Sequence, residues 1–168
     1  MVIQIDTREQ KNNHITDYFD LTGIKYIRSK MYVGDYQRVD SGSVCIDKKF
    51  GLDEMYSCVV SGYDRFADEC KRAKAAGISL IVLIEDDDIT CLSQVRTWEN
   101  PRRAKWERFE EAKAKGKRVP AHSSIPPVSS ERIEKRMRTL SKRYGVRWEF
   151  CKKADTAKRI LELLKYES

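Results

Sequence analysis

Asp35, Asp47 and Lys49 sit in two short segments of alternating polarity, and Asp53 follows Asp47 by six residues. Hydrolysis of a phosphodiester requires carboxylates that hold a divalent cation against water and phosphate. It also requires a nearby amine that activates the water or stabilises charge on phosphorus. Mg²⁺ prefers oxygen ligands and keeps several waters, so two or three carboxylates on rigid elements, with a substrate phosphate, make a sufficient site. The residue set predicts metal-dependent phosphodiester hydrolysis at Asp35, Asp47 and Lys49, with Asp53 swinging in from a following helix.

These side chains can act together only if the register of their strands brings them together. Segments 31–39 and 43–49 read as strands joined by Asp40-Ser41-Gly42, a three-residue hairpin loop with Gly42 expected in the left-handed conformation. Pairing Val39 with Ser43 sets Asp35 opposite Asp47, and the period of two puts Lys49 on their face. Tyr36, Val44 and Ile46 then lie on the other face, where apolar packing holds the register; a slip of one residue would bury the charges.

Around this hairpin the pattern predicts a strand over 2–5, a helix over 13–21 ended by Gly23, and a strand over 24–28. Helices follow over 51–60 and 64–76, the second stopped by Gly77. The near-continuous apolar run 78–84 is typical of a strand covered on both faces. A helix over 131–144, a strand over 146–151 and a last helix with Ala157, Ile160, Leu161 and Leu164 on one stripe complete the pattern. The fold class is α/β, a central mixed sheet flanked by helices. Residues 95–130 read as a basic insertion, helical over 98–115 with Trp106 and Phe109, then a Pro- and Ser-rich loop expected to be mobile.

The 168 residues, 40% of them hydrophobic, suit one domain. No basic segment leads into a long apolar stretch, so neither a secretory signal nor a membrane span is expected, and the protein reads as soluble and cytoplasmic, with no membrane partner. Five scattered cysteines without a C-x-x-C pair imply reduced thiols. His14 and His122 have no partners at zinc-ligand spacing and read as surface residues, and the acidic run 85–88 as a solvated strand end.

The net charge of +7 is unevenly spread: residues 95–153 carry 18 Lys and Arg against 7 Asp and Glu, and the remainder 15 against 19. Such asymmetry points to a polyanion met by the basic region while acids are gathered elsewhere. Solvated helix faces are the bland alternative for the same charges.

Three blocks, Asp6-Thr7-Arg8-Glu9, Val33-Gly34-Asp35-Tyr36 and Ile46-Asp47-Lys48-Lys49 with Asp53, occur in the order and spacing of a known pattern. It is D-x-R-E, then GD, a gap, and ERK-x-x-x-D, and the chain resembles the XPF-type nuclease domain of the PD-(D/E)XK nucleases, in its stand-alone phage and bacterial form (in the host cytoplasm if phage-encoded). Similarity continues through Tyr63-Asp64-Arg65-Phe66, Leu83-Ile84-Glu85 and residues 143–164, and lapses over about 95–130. The resemblance implies a restriction-endonuclease-like fold cutting branched, flap or junction DNA with Mg²⁺ or Mn²⁺ and no small-molecule cofactor. It implies metal on Asp35 and Asp47, Lys49 beside the attacking water, Arg8 on the scissile phosphate, and Asp6, Glu9 and Asp53 completing or supporting the site, with Asp6 a further metal ligand. It also implies a homodimer.

Two departures stand out: Asp47 replaces the family's Glu, and Lys48 its Arg, losing a planar bidentate group. Relatives usually append helix-hairpin-helix modules; nothing after Leu164 leaves room for one, so Lys48, Arg65, Arg102, Arg103, Lys105, Arg132 and Arg136 are expected to grip DNA. Other readings stand beside these. Arg8 and Glu9 would serve as a local ion pair, Asp53 as a helix cap, and the whole domain as a non-catalytic DNA-binding scaffold.

Overall fold

The computed structural model describes residues 1–165. Its centre is a six-stranded mixed sheet in the order β2-β1-β3-β4-β5-β6. The strands are β1 (Val2–Ile5), β2 (Lys25–Arg28), β3 (Tyr36–Arg38), β4 (Val44–Lys49), β5 (Ser79–Glu85) and β6 (Arg147–Cys151). β1 runs parallel to β2 and antiparallel to β3; β3 is antiparallel to β4; β4, β5 and β6 are parallel. The C-terminal ends of β1, β4 and β5 and the start of β3 therefore share one edge of the sheet. Asp6, Asp35 and Asp47 lie along that edge, and Asp53 follows in the helix after β4.

The expected apolar run is the middle of the fold. Leu80, Val82 and Ile84 of β5 enter one core layer and Ile81 and Leu83 the other. The first layer is closed by α2 (Leu52–Val59), α3 (Tyr63–Ala75) and α5 (Ser130–Tyr144), the second by α1 (Asn13–Thr22) and α6 (Thr156–Lys165). A strand covered on both faces has no use for alternation, which is why periodicity is lost there.

The register at the hairpin is the expected one. Tyr36 pairs with Ile46 and Gln37 with Cys45, which extends to Asp35 opposite Asp47. Tyr36 and Ile46 are buried in the second layer with Val44 packed against it. Two details differ. β3 is only three residues long, and Gly42 is not among the glycines with positive φ. Each limb of the loop is braced by its own side chains, Arg38 to Asp40 at 2.7 Å and Ser41 to Ser43 at 3.1 Å.

The left-handed residue is Gly34, at φ 65°. Its amide donates to Glu69 Oε1 (3.0 Å), and a Cβ there would lie 2.5 Å from Cys45 Sγ and 3.0 Å from the Ile46 carbonyl oxygen. Glycine is required both for conformation and for space.

Glu85 is not a solvated strand end: it is buried, and its Oε1 meets His14 Nε2 (2.7 Å) and Thr156 Oγ1 (2.8 Å), tying α1 and α6 to β5. Neither histidine is plain surface. His14 is half-buried on Glu85, and His122 is held by Glu110 and the Pro120 carbonyl. All five cysteines are free thiols.

The insertion is a 3₁₀ segment (Leu92–Thr97) and α4 (Pro101–Ala114). Asn100 caps α4 by accepting from the Arg102 amide, and no residue of α4 is buried. A helix without an apolar face is held by polar contacts. Trp106 Nε1 donates to the Ser123 carbonyl and Arg103 Nη1 to that of Pro127, binding α4 to its own following loop. Among the described residues no helix is long and apolar enough to cross a membrane.

Gly34→Ala is expected to lower stability by about 1–3 kcal/mol through strain and overpacking. Urea denaturation reads it directly; an unchanged midpoint would contradict the packing described.

Candidate active site

The backbone of Asp35 joins two strands. Its carbonyl accepts from Asp6 N (2.9 Å) and its amide donates to the Ile46 carbonyl (2.8 Å). Its side-chain Oδ2 accepts from Lys48 N (2.9 Å). Asp47, 4% exposed, takes Lys49 Nζ on Oδ1 at 2.8 Å, while its Oδ2 is buried and accepts no hydrogen bond. The structure thus brings Asp35, Asp47 and Lys49 to one face at the sheet edge.

Electrostatics there are unbalanced. Burial first, then the negative charge of Asp47, pushes the Asp35 carboxyl well above the usual carboxylate range, against the pull of Lys49 and the Lys48 amide. For Lys49 burial acts downward, but Asp47, then Cys58 and Asp35, outweigh it and hold the ammonium charged. Two acids sharing one amine leave an excess of negative charge that a cation would offset.

The donor set fits a hard divalent ion. Asp47 Oδ2 is an orphaned buried oxygen, a second carboxylate lies across the strand pair, and both are oxygen donors of the kind Mg²⁺ or Mn²⁺ takes while keeping waters. No third acid joins them: among the described residues no group of three Asp, Glu, His or Cys side chains is arranged to hold a metal.

Asp6 is fully occupied elsewhere. It is completely buried, accepts from the amides of Arg8 (2.7 Å) and Met31 (2.6 Å), and takes Arg8 Nε and Nη2 at 2.7 and 3.0 Å. Burial opposes its charge, yet the hydrogen bonds from Arg8 and Met31 win and its carboxyl lies below the usual range. Asp6 therefore aims Arg8, whose side chain is 66% exposed and lines the recess next to Lys49.

Lys48 and Glu9 lie on the other face. The Lys48 ammonium is buried 3.3 Å from the Phe50 ring centroid, donates to the Lys11 carbonyl, and lies 3.5 Å from Glu9 Oε1, which accepts no hydrogen bond. Burial raises the Glu9 carboxyl despite Lys48. The period of two that aligns Lys49 with Asp47 necessarily turns Lys48 away.

Asp53 stands in the first turn of α2, bound by Arg102 of the insertion through Nε (2.8 Å) and Nη2 (3.0 Å). Arg102 also donates to Ser57 Oγ and lies 4.6 Å from the Tyr56 ring, while Tyr56 Oη accepts from Val128 N. Hydrogen bonding to Arg102 holds the Asp53 carboxyl below the usual range. The expected DNA contact at Arg102 is thus engaged within the protein. So is Arg136, which donates to the Val59 carbonyl at the end of α2 (2.7 Å), and Arg103 pairs with Glu107. Lys105 lies over Phe109 (5.6 Å), and Arg132 is exposed. Arg65 lines the recess that Arg8 and Lys49 also line.

Sequence reasoning missed Glu69, which fixes the Gly34 amide, and Tyr32 and Arg72 at the same recess. A signal existed for the helix residues: Arg65, Glu69 and Arg72 recur at the spacing of one helical face.

The ERCC4 domain family model matches residues 5–164. Comparison with curated proteins finds no match. Among solved structures, XPF from Aeropyrum pernix is similar, with a TM-score of 0.62 and 16% identity over 99% of this chain and 66% of that one. XPF from Aeropyrum pernix in complex with DNA is similar with a TM-score of 0.62 and 17% identity over 98% and 63%. At such identity the likeness is one of fold, and this chain spans about two thirds of the length of those structures.

Asp35→Asn keeps an acceptor for the Lys48 amide and removes a charge that folding opposes. The folded carboxyl titrates above its ordinary value of 3.8, so ionisation destabilises the metal-free protein increasingly as pH rises through that window. The variant should melt a few degrees higher at neutral pH and equal wild type in acid; a lower neutral melting temperature would refute the electrostatic account.

Arg102→Ala should speed amide hydrogen exchange across α4 while changing global stability by about 1 kcal/mol or less, because the pair is solvent-exposed. Unaltered exchange in α4 would mean that this contact does not hold the helix.

Proposed function

From the membership of this chain in the ERCC4 domain family, we propose that it is a divalent-metal-dependent DNA endonuclease acting at branched, flap or junction DNA, built as a single domain. The observation that carries this reading is the convergence of Asp35 and Asp47, with an orphaned oxygen on Asp47 and Lys49 Nζ 2.8 Å from its other oxygen. When bound by the two carboxylates, Mg²⁺ or Mn²⁺ would supply Lewis acidity and a water acidic enough to attack at neutral pH.

The chain's own residues do the rest. Asp35 and Asp47 hold the ion, and Lys49 keeps its proton and orients the attacking water beside the phosphate. Arg8, aimed by Asp6, takes the phosphate oxygens through its fork of donors. Grip on the flanking DNA falls to Arg65, Lys105 and Arg132, whose guanidinium or ammonium groups are not committed to salt bridges among the described residues. A homodimer belongs to the same proposal, from the resemblance, and light scattering reads it directly.

A second reading, a DNA-binding scaffold, is favoured by one observation: Asp53, a motif acid, is tied to Arg102 rather than joined to Asp35 and Asp47. A radiolabelled fork with Mg²⁺ separates the two. On the nuclease reading Asp47→Asn abolishes cutting and Lys49→Ala slows it by about 100-fold or more, with binding retained. Equal binding by wild type and variants without any cutting would establish the scaffold.

A further inference from the structure

Beside Lys49 lies a recess of about 220 Å³ walled in part by Arg8, Lys49, Arg65, Glu69, Arg72 and Tyr32. Two of its four cations are already answered, Arg8 by Asp6 and Lys49 by Asp47. Arg65 and Arg72 are not: among the described residues neither guanidinium makes a hydrogen bond or salt bridge. Glu69, on the same helix face, is committed through Oε1 to the Gly34 amide. Seven residues of helix separate the two arginines, about 10 Å along the axis, so they reach the recess from different turns of α3.

Tyr32 supplies the other half of a site. It lies in the segment just before Gly34, 65% exposed, with the Arg72 guanidinium 6.0 Å from its ring centroid. A solvent-facing tyrosine beside unpaired guanidiniums combines a π surface with phosphate donors, the pairing used to hold single-stranded nucleic acid. Nothing in the core requires an aromatic ring there: Tyr32 belongs to neither apolar layer.

We propose that this recess is a nucleotide subsite: Arg65 and Arg72 take the phosphate neighbouring the one to be cut, and Tyr32 stacks on the base of an unpaired nucleotide. The inference rests on the nuclease reading and adds to it the residues that would receive an unpaired strand. A base inside a duplex has both faces covered by its neighbours and offers none to Tyr32, so the strand entering this side of the site is single-stranded. The carboxylates and this recess both adjoin Lys49, so one strand would pass from the Tyr32 side onto the cutting site.

The test needs no cutting. With the full chain in EDTA, fluorescence anisotropy compares a labelled single strand with a blunt duplex of the same sequence at fixed salt. Tyr32→Ala should weaken single-strand binding about tenfold, the scale of one stacked base, and leave duplex binding within about twofold; Tyr32→Phe should restore it. Arg72→Ala should weaken single-strand binding and reduce its salt slope by about one counterion.

The proposal is overturned if wild type does not bind the single strand, if either alanine variant binds it as wild type does, or if strand and duplex are lost equally. Thermal melts of each variant identify loss by unfolding, and Arg72→Gln then repeats the measurement with the side chain's length retained. Failure of the nuclease reading looks different: binding as expected, with no fork cut when Mg²⁺ is added, would leave the subsite standing.

Discussion

Two carboxylates, Asp47 buried and Asp35 half-buried, face each other across an antiparallel strand pair, and much of the surrounding structure serves to keep them there. Like charges in a poorly solvated setting repel, as the raised Asp35 carboxyl records. Left to itself the β3–β4 pair would slip or open. It is held because Tyr36 and Ile46 fill the second apolar layer on the opposite face, so that any slip would exchange buried hydrophobic side chains for charge. The register that the core demands is therefore the register that assembles the site.

Gly34 makes this approach close. The chain passes so near β4 that Cys45 Sγ donates to the Val33 carbonyl at 2.8 Å, and the Gly34 amide is satisfied by Glu69 from α3. One residue later the Asp35 backbone bridges the ends of β1 and β4. A single glycine thus couples the edge of the sheet that carries Asp35 and Asp47 to a helix that also carries Arg65 and Arg72.

The basic region is less free than its composition suggests. Glu134, buried on α5, is gripped by Arg96 from the insertion and Arg138 from its own helix, and the two guanidiniums keep its carboxyl below the usual range although burial works against them. Arg102, Arg103 and Arg136 are likewise engaged inside the protein. Two of these cations stitch the insertion to the rest of the fold, Arg96 to α5 and Arg102 to α2. The unspent cations beside the carboxylates belong to α3, which lies outside that region.

Local pattern was enough to read most strands and helices, the sheet with helices on both sides, and the pairing of Asp35 with Asp47, because side-chain alternation and turn spacing are properties of neighbouring residues. It was also enough to separate Lys49 from Lys48, since a strand turns successive side chains to opposite faces. It misplaced the left-handed glycine, since Gly42 lies in a loop braced by side chains while Gly34 is shaped by contact with β4. Ion-pair choice was out of reach. Arg102 and Asp53 are 49 positions apart, Asp6 spends its oxygens on Arg8 and Met31, and Glu85 meets His14 and Thr156 from helices at opposite ends of the chain. Such partners are selected by how helices dock on the sheet. The amino-acid order determined which residue types face one another across a strand pair; only the packed molecule decided which charges are spent on the protein itself and which are left for a ligand.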